Sequence, residues 1–494
     1  MIKRTLGAIA AMCGGTLNDS GHAALTVAGI SKDTRHIKPG QLYVPLAGER
    51  FDGHDFAADA LAKGAAALLW QTDRELPGEL AGKPAVFVPD TLAALQRLAA
   101  SYRRELGLKV VGITGSNGKT TTKDMVASAL SGALRVHKTE GNLNNHIGLP
   151  ITVLELDETV EAAVLEMGMS GFGEIELLTR IAQPDIAVIT NIGEAHLQQL
   201  GSREGIAKAK LEIAAGLRPG GLLLINGDEP LLRSGIASLS LPEGAVVQTF
   251  GLGAGNDWTA SAIEIGAESS AFGVTPSGRA AAAALNAGEE AGAGVISGLS
   301  VPVPGKHNVS NAVAAVAAAV RFGLTAEQIR RGFQGLKLTG MRIEPMRAAG
   351  GAMLLNDAYN ANPTAVRAAI DLVAQLTGYR RKWLVLGDML ELGPKEEDLH
   401  REVGEYAGPD KADAVLTYGP LSAHTAAGAA KRFGLPAAGT GSAAPGEEPA
   451  VLAFDDKTAL AEFLRARLAP DDLVLVKGSR GMQMEEIVHA LMRE

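Results

Sequence analysis

The sequence predicts a three-unit α/β protein organised around a parallel, doubly wound sheet, and three observations carry that prediction. Short apolar runs alternate with helical patterns along the chain, as in parallel sheets with helices on both faces. One such run, Lys109 to Ile113, leads into Gly112-Ile113-Thr114-Gly115-Ser116-Asn117-Gly118-Lys119-Thr120-Thr121, a glycine-rich turn that opens a helix at Lys119. The chain has 494 residues, more than one core holds, so two to four domains are expected.

The elements follow in order. Lys3 and Arg4 precede Leu6 to Cys13, a loose imitation of a signal peptide. The apolar stretch is short and Met12 is too bulky for a cleavage site, so an amphipathic helix ending at Gly14-Gly15 is expected instead. Residues 1–106 make the first unit. Its apolar segments are Leu42 to Leu46, Ala66 to Trp70 and Ala85 to Val88, with helical patterns at Phe56 to Lys63 and Leu92 to Leu106. Gly107 reads as the C-cap of that last helix and as the boundary. Residues 107–338 make the second unit, with further strands at Ala162 to Met167, Ile186 to Thr190 and Leu222 to Asn226. Residues 253–300 are rich in Ala, Gly and Ser and read as a peripheral β-region with a flexible insertion at 278–294. A helix from Asn308 to Phe322 follows Pro304-Gly305-Lys306-His307. Residues 339–494 make the third unit, a smaller α/β sheet with strands at Met353 to Asn356, Lys382 to Leu386, Ala414 to Tyr418 and Leu473 to Val476.

Composition excludes some functions. The net charge is −9 and no long basic run occurs, which argues against nucleic acid or an anionic membrane as the main partner and leaves room for an anionic small substrate at a locally basic site. The single cysteine, Cys13, forbids an intrachain disulfide and fits a reducing cytoplasm. No apolar run is long enough to span a membrane.

The chemistry concentrates at strand ends, where doubly wound sheets bind ligands. In the turn at 115–121, backbone N–H groups can close around phosphate oxygens at a helix N-terminus. Lys119 is placed to reach the β/γ-phosphates and the Thr120 hydroxyl to hold Mg²⁺. Ile113 replaces the first glycine of the usual pattern, so the loop is a variant. Glu166 ends a strand near that loop, as a Mg²⁺ ligand would, although a solvated carboxylate reads equally well. His196 reads as structural, because imidazole is a poor ligand for a hard ion. Lys210 sits beside Lys208 on a helical stretch, Ser202 to Leu217, and spacing does not distinguish it. Asn308 reads as a helix N-cap. Arg342 suits either a phosphate or a surface ion pair. Asn356 to Pro363 holds more hydrogen-bonding groups than capping requires, with Asn362 a cap and Pro363 in the first turn. Lys477-Gly478-Ser479-Arg480-Gly481 ends the last strand and suits an anion.

Together these segments resemble the Mur ligase family over essentially the whole chain. Further matching segments are Gly141 to Pro150, Asn191 to His196, Gly305 to Val309 and Leu386 to Gly393. Ser31-Lys32-Asp33-Thr34-Arg35 and Asp52 to Phe56 resemble the family's uridine-nucleotide domain. The Asp-Asn-Pro-Arg box of the diamino-acid-adding branch is absent, and residues 356–363 look like the dipeptide-adding branch. The resemblance implies an ATP-dependent, ADP-forming amide ligase that joins D-Ala-D-Ala to UDP-N-acetylmuramoyl-tripeptide through an acyl phosphate, in the cytoplasm and as a monomer. It implies that Gly115, Ser116, Asn117, Gly118, Lys119, Thr120 and Thr121 hold ATP, with Asn308, Arg342 and Asp357. It implies one Mg²⁺ at Thr120 and Glu166 and a second at His196 and a carbamylated Lys210, against the blander readings of those two residues. Ser31, Thr34, Arg35, Asn144 and Asn145 fall to the UDP-peptide, and Tyr359, Asn360, Lys477 and Ser479 to the peptide substrates. The diamino-acid-adding relative, a folate polyglutamate-type ligase and a slow ATP-hydrolysing regulator are the alternatives.

Overall fold

A computed structural model describes residues 1–48, 51–278, 280–281, 294–440 and 449–493. Most of the expected insertion at 278–294 lies outside the described residues.

Three principal sheets stand where three alternating patterns occur. The first has five strands, ordered Thr16–Leu17, Ala85–Val88, Ala67–Gln71, Leu42–Tyr43 and Ile30–Ser31, parallel except at Thr16–Leu17. Its leading helix is Leu6–Cys13, closed by Gly14 in the left-handed region at φ 71°, as the Gly-Gly stop predicts. The long helix is Thr91–Glu105, capped by Asp90. Gly107 is not its C-cap: the chain leaves through Leu106 in an extended conformation. This helix packs its apolar face on Gly148–Glu155 and Glu174–Ala182 of the central unit. Tyr102 donates to the Leu156 carbonyl at 2.9 Å and the buried Arg103 to that of Ala182 at 2.8 Å, so one apolar core runs from Ile2 through Leu98 to Ile225.

The central sheet has nine strands. From Val136–Lys138 the order is Ala162–Glu166, Lys109–Thr114, Ile186–Ile189, Leu222–Asn226, Val246–Gly251 and Trp258–Ile265, all parallel. Ser270–Pro276 and Ile296–Val301 extend it antiparallel, so the expected peripheral β-region continues the same sheet. Lys109–Thr114 lies where the strand order reverses, and ligands bind at such switch points. The third sheet has seven strands, ordered Glu344–Arg347, Met353–Asp357, Leu473–Lys477, Lys382–Gly387, Ala414–Tyr418, Val451–Phe454 and Gly439–Thr440. All are parallel but the first. Its helix Pro363–Gln375 begins with Asn362 as N-cap and Pro363 at the first position, as expected. Among the described residues no helix is long and apolar enough to cross a membrane.

Candidate active site

The strand Lys109–Thr114 turns through the glycine loop into the helix Lys119–Ser131. Gly115 has φ 149°, and a Cβ there would lie 1.8 Å from Thr190 Oγ1. Gly118 stands at the helix N-cap with φ 76°. The next strand braces the loop: Ser116 N donates to the Asn191 carbonyl at 3.0 Å and Asn117 N to Asn191 Oδ1 at 2.8 Å. Lys119 curls over the loop, its Nζ donating to the Gly115 carbonyl at 2.8 Å and to that of Ser116 at 3.3 Å. Burial pushes its pKa down and the charge of Glu166 pulls it back up. Ser116 Oγ is buried with no partner among the described residues.

Glu166 ends its strand 3% exposed. Asn144 Nδ2 donates to its Oε1 at 2.8 Å, and Oε2 is buried without a partner. Asn145 is occupied otherwise, its Oδ1 accepting from Gly148 N at 2.8 Å at the start of a helix. Thr120 Oγ1 accepts from Arg342 at 3.2 Å, and that guanidinium stacks 3.9 Å over the Tyr359 ring. Arg342 is presented by a kinked linker with Met341 at φ 60° and Ile343 at φ 53°, the latter a costly conformation for a β-branched residue. Asp124, on the helix behind the loop, anchors that linker by accepting from Thr339 N and Oγ1, each at 2.8 Å.

The helix expected over Ser202 to Leu217 is Arg203–Leu211, followed by a 3₁₀ turn Glu212–Gly216, with Ser202 as N-cap. It settles what spacing could not. Lys208 faces outward over Phe172, whereas Lys210 is 2% exposed. No hydrogen bond or ion pair reaches Lys210 Nζ among the described residues. Burial, then the nearby Lys119 charge, holds its pKa well below the ordinary lysine value. His196, at φ 63°, brings Nδ1 to 2.9 Å from Glu391 Oε2 of the third sheet's loops. Burial lowers its pKa against the pull of Glu391.

A cleft of about 650 Å³ joins these groups between the central and third sheets. It is lined by residues 115–121, Asn144, Asn145, Glu166, His196, Lys210, Asn308, Arg342, Asp357, Tyr359, Asn360 and Lys477. Four expected site residues do not line it. Ser31 and Thr34 shape a turn in the first unit: Ser31 Oγ bonds the Asp33 backbone, and Thr34 is buried. Arg35 pairs with Asp33 at 2.7 Å on the surface. Ser479 does not stand free: its buried hydroxyl accepts from Leu390 N at 2.9 Å. Lys477 is not a free cation either, because it donates to Asp357 at 2.6 Å and to the Asn360 carbonyl at 2.9 Å. Asn308 is not a helix N-cap. The helix is Lys306–Arg321 with Gly305 as its cap, and Asn308 Nδ2 reaches back to the Pro304 carbonyl at 2.8 Å. His307 and Asn311, which no sequence motif singles out, also line the cleft. Their signal was position, since both stand on the first turns of a helix aimed at the phosphate loop.

A triphosphate seated on this loop would end among Lys119, Lys210 and Arg342, beside a bare carboxylate oxygen and under a second α/β domain. That arrangement fits an ATP-dependent ligase. Three family models match the chain: the Mur ligase middle domain at residues 113–319, the glutamate ligase domain at 341–480 and the Mur ligase family catalytic domain at 26–103. The UDP-N-acetylmuramoyl-tripeptide–D-alanyl-D-alanine ligase of Bacillus subtilis (strain 168) is 47% identical over 491 residues, 99% of either chain. A crystal structure of MurF from Acinetobacter baumannii superposes with a TM-score of 0.83 at 29% identity, covering 100% of both chains. That of MurF ligase from Thermotoga maritima in complex with ADP gives 0.77 at 26%, covering 94% of this chain and 97% of the other. The chain belongs to the Mur ligase family.

Proposed function

We propose that this ligase joins D-Ala-D-Ala to UDP-N-acetylmuramoyl-tripeptide with ATP, the last cytoplasmic step of peptidoglycan precursor synthesis. The identity of 47% over the whole Bacillus protein supports the choice of substrates. The observation that carries the chemistry is that Lys119, Glu166 with its unpartnered Oε2, and the buried Lys210 line one cleft.

The carboxylate is a poor acyl donor. One of its oxygens attacks the γ-phosphorus, the bond to ADP breaks, and an acyl phosphate forms. The acceptor amine, after losing its ammonium proton, attacks the acyl carbon, phosphate leaves with the C–O electron pair, and the nitrogen gives up a second proton to the departing phosphate to become the amide. Both partners of the first step are anions, so Lys119 offsets their repulsion and the charge that develops. Arg342 and Asp357 hold the nucleotide where the central and third domains meet, and Asn308 faces the base. The first domain, residues 1–106, takes the uridine end through Ser31, Thr34 and Arg35. Residues 107–338 carry ATP, and residues 339–494 present the dipeptide near Tyr359 and Asn360. Seating the third domain excludes water from the acyl phosphate.

The residues present fit two Mg²⁺ ions. Glu166 Oε2 and Thr120 Oγ1 would hold the first, His196 and Lys210 the second. Among the described residues no cluster of three or more His, Cys, Asp or Glu occurs, so phosphate oxygens would complete each shell, as Mg²⁺ favours. Mg²⁺ bound there would supply charge neutralisation along the transferred phosphoryl group. Lys210 suits that role as a carbamate. Burial and the nearby Lys119 charge disfavour its ammonium form; the unprotonated amine attacks CO₂, a proton leaves, and an anionic oxygen donor results. The enzyme is read as a cytoplasmic monomer.

Mass spectrometry of the product from ATP, UDP-N-acetylmuramoyl-tripeptide and an acceptor panel tests the assignment. Pentapeptide formed from D-Ala-D-Ala alone is expected. Faster addition of diaminopimelate or lysine to the UDP-muramoyl-dipeptide would move the chain to its relative's branch. Phosphate release indifferent to both substrates would mean a regulator.

A further inference from the structure

We infer that Asn362 and Thr364, at the head of the helix Pro363–Gln375, are positioning residues that lock the phosphate loop when the third domain is seated. The inference rests on the reaction proposed above and adds a device to it.

Asn117 lies inside the loop, and each of its polar groups has a protein partner. Its N–H goes to Asn191 Oδ1 and its carbonyl accepts from Thr190 Oγ1. Its side-chain amide faces Asn362 in a reciprocal pair, Asn117 Nδ2 to Asn362 Oδ1 at 3.2 Å and Asn362 Nδ2 to Asn117 Oδ1 at 2.6 Å. Asn362 Oδ1 also caps its own helix through Ala365 N at 3.0 Å. Two residues further, Thr364 N donates to Glu194 Oε2 at 3.1 Å, and Thr364 Oγ1 donates to the same oxygen. A carboxylate at a helix N-terminus is favoured by the exposed N–H groups there. Glu194 belongs to the loop that carries His196, two positions on. One helix N-terminus therefore grips both the phosphate loop and the histidine loop. The approach is close: a Cβ on Gly193 would lie 3.0 Å from Asn117 Nδ2 and 3.2 Å from Thr364 Oγ1.

A bond made only when the domain is seated contributes to the closed state and not to binding of the UDP-bearing substrate by the first two domains. Weakening it should lower kcat and spare that affinity. Asn362→Asp keeps the helix cap and the acceptor for Asn117 Nδ2 but sets an oxygen against Asn117 Oδ1. Thr364→Val removes the hydroxyl bond to Glu194 and leaves the cap intact, so it reports even if Asn362→Asp folds poorly.

The experiment measures kcat and KM for ATP, calorimetric affinity for UDP-N-acetylmuramoyl-tripeptide, and small-angle scattering with all ligands but the acceptor. Each variant is expected to lose about tenfold in kcat, the scale of one interdomain hydrogen bond, with affinity for the UDP substrate within about twofold and a larger radius of gyration than wild type. Wild-type kcat and scattering in both folded variants would overturn the inference, as would a loss of UDP-substrate affinity equal to the loss in kcat. Wild-type protein that forms no pentapeptide would instead overturn the proposed reaction, and the two failures are separately visible.

Discussion

Asn144 donates to Glu166 Oε1 at 2.8 Å and leaves the other carboxylate oxygen of this cleft-lining residue buried and without a partner among the described residues. Leaving a buried carboxylate oxygen bare costs stability unless a ligand satisfies it. Glu166→Gln places an amide there and removes the charge. Metal affinity in the presence of ADP, read by Mn²⁺ paramagnetic resonance, should weaken at least about tenfold, and kcat should fall on the order of 10²-fold or more. Unchanged metal affinity would contradict the ligand role.

Lys119 hangs over the loop on two backbone carbonyls, which are weak holds that a phosphate can replace. Lys119→Ala should leave the circular dichroism spectrum and melting temperature near wild type while ligation falls on the order of 10³-fold or more, the scale of losing one preorganised cation in a closed site. Near-normal kcat in the folded variant would exclude the role.

Lys210→Ala should nearly abolish ligation, because an anchor of the second metal is lost. A small carboxylate can enter the vacated space, so high acetate should restore part of the rate, with chloride as the ionic-strength control. Full activity without acetate would return Lys210 to a structural role, and so would a free amine in a crystal of the ATP complex grown with bicarbonate.

The alternation of apolar runs foretold the sheets, and the phosphate loop, Glu166 and the Asn362–Pro363 helix start stand where the sequence placed them. The strand Glu344–Arg347 carries no sequence signal because charged Glu344 and Arg347 flank only Pro345 and Met346, and its edge position needs no apolar run. Lys210 and Lys208 look alike in sequence, since a helix with both lysines in its last turn does not reveal which face meets the core. The misreading of Asn308 has a similar cause: Gly305, at φ 112°, starts the helix three residues earlier than a side-chain cap would. Ser479 and Lys477 read as anion ligands by composition, and the partners they have in the structure, Leu390 N and Asp357, come from distant segments that spacing does not reveal.

His307 gives the site a pH signature. It is partly buried, and burial holds its pKa at about 4, below the ordinary 6.5. Between those values the unfolded chain binds more protons than the folded one, so stability rises with pH across the window and is lost as pH falls from about 6.5 toward 4. His307→Asn should flatten that part of the stability curve, by about 1–3 kcal/mol in denaturant titrations between pH 4.5 and 7. Parallel curves for variant and wild type would show that His307 does not carry it.

The central claim is that this cleft activates a carboxylate as an acyl phosphate. Its most direct test follows the oxygen: UDP-N-acetylmuramoyl-tripeptide labelled with ¹⁸O in its terminal carboxylate is ligated to D-Ala-D-Ala, and the released phosphate is weighed by mass spectrometry. Attack of the carboxylate on the γ-phosphorus requires one labelled oxygen to leave in the phosphate. Phosphate free of ¹⁸O, with pentapeptide formed, would contradict the account.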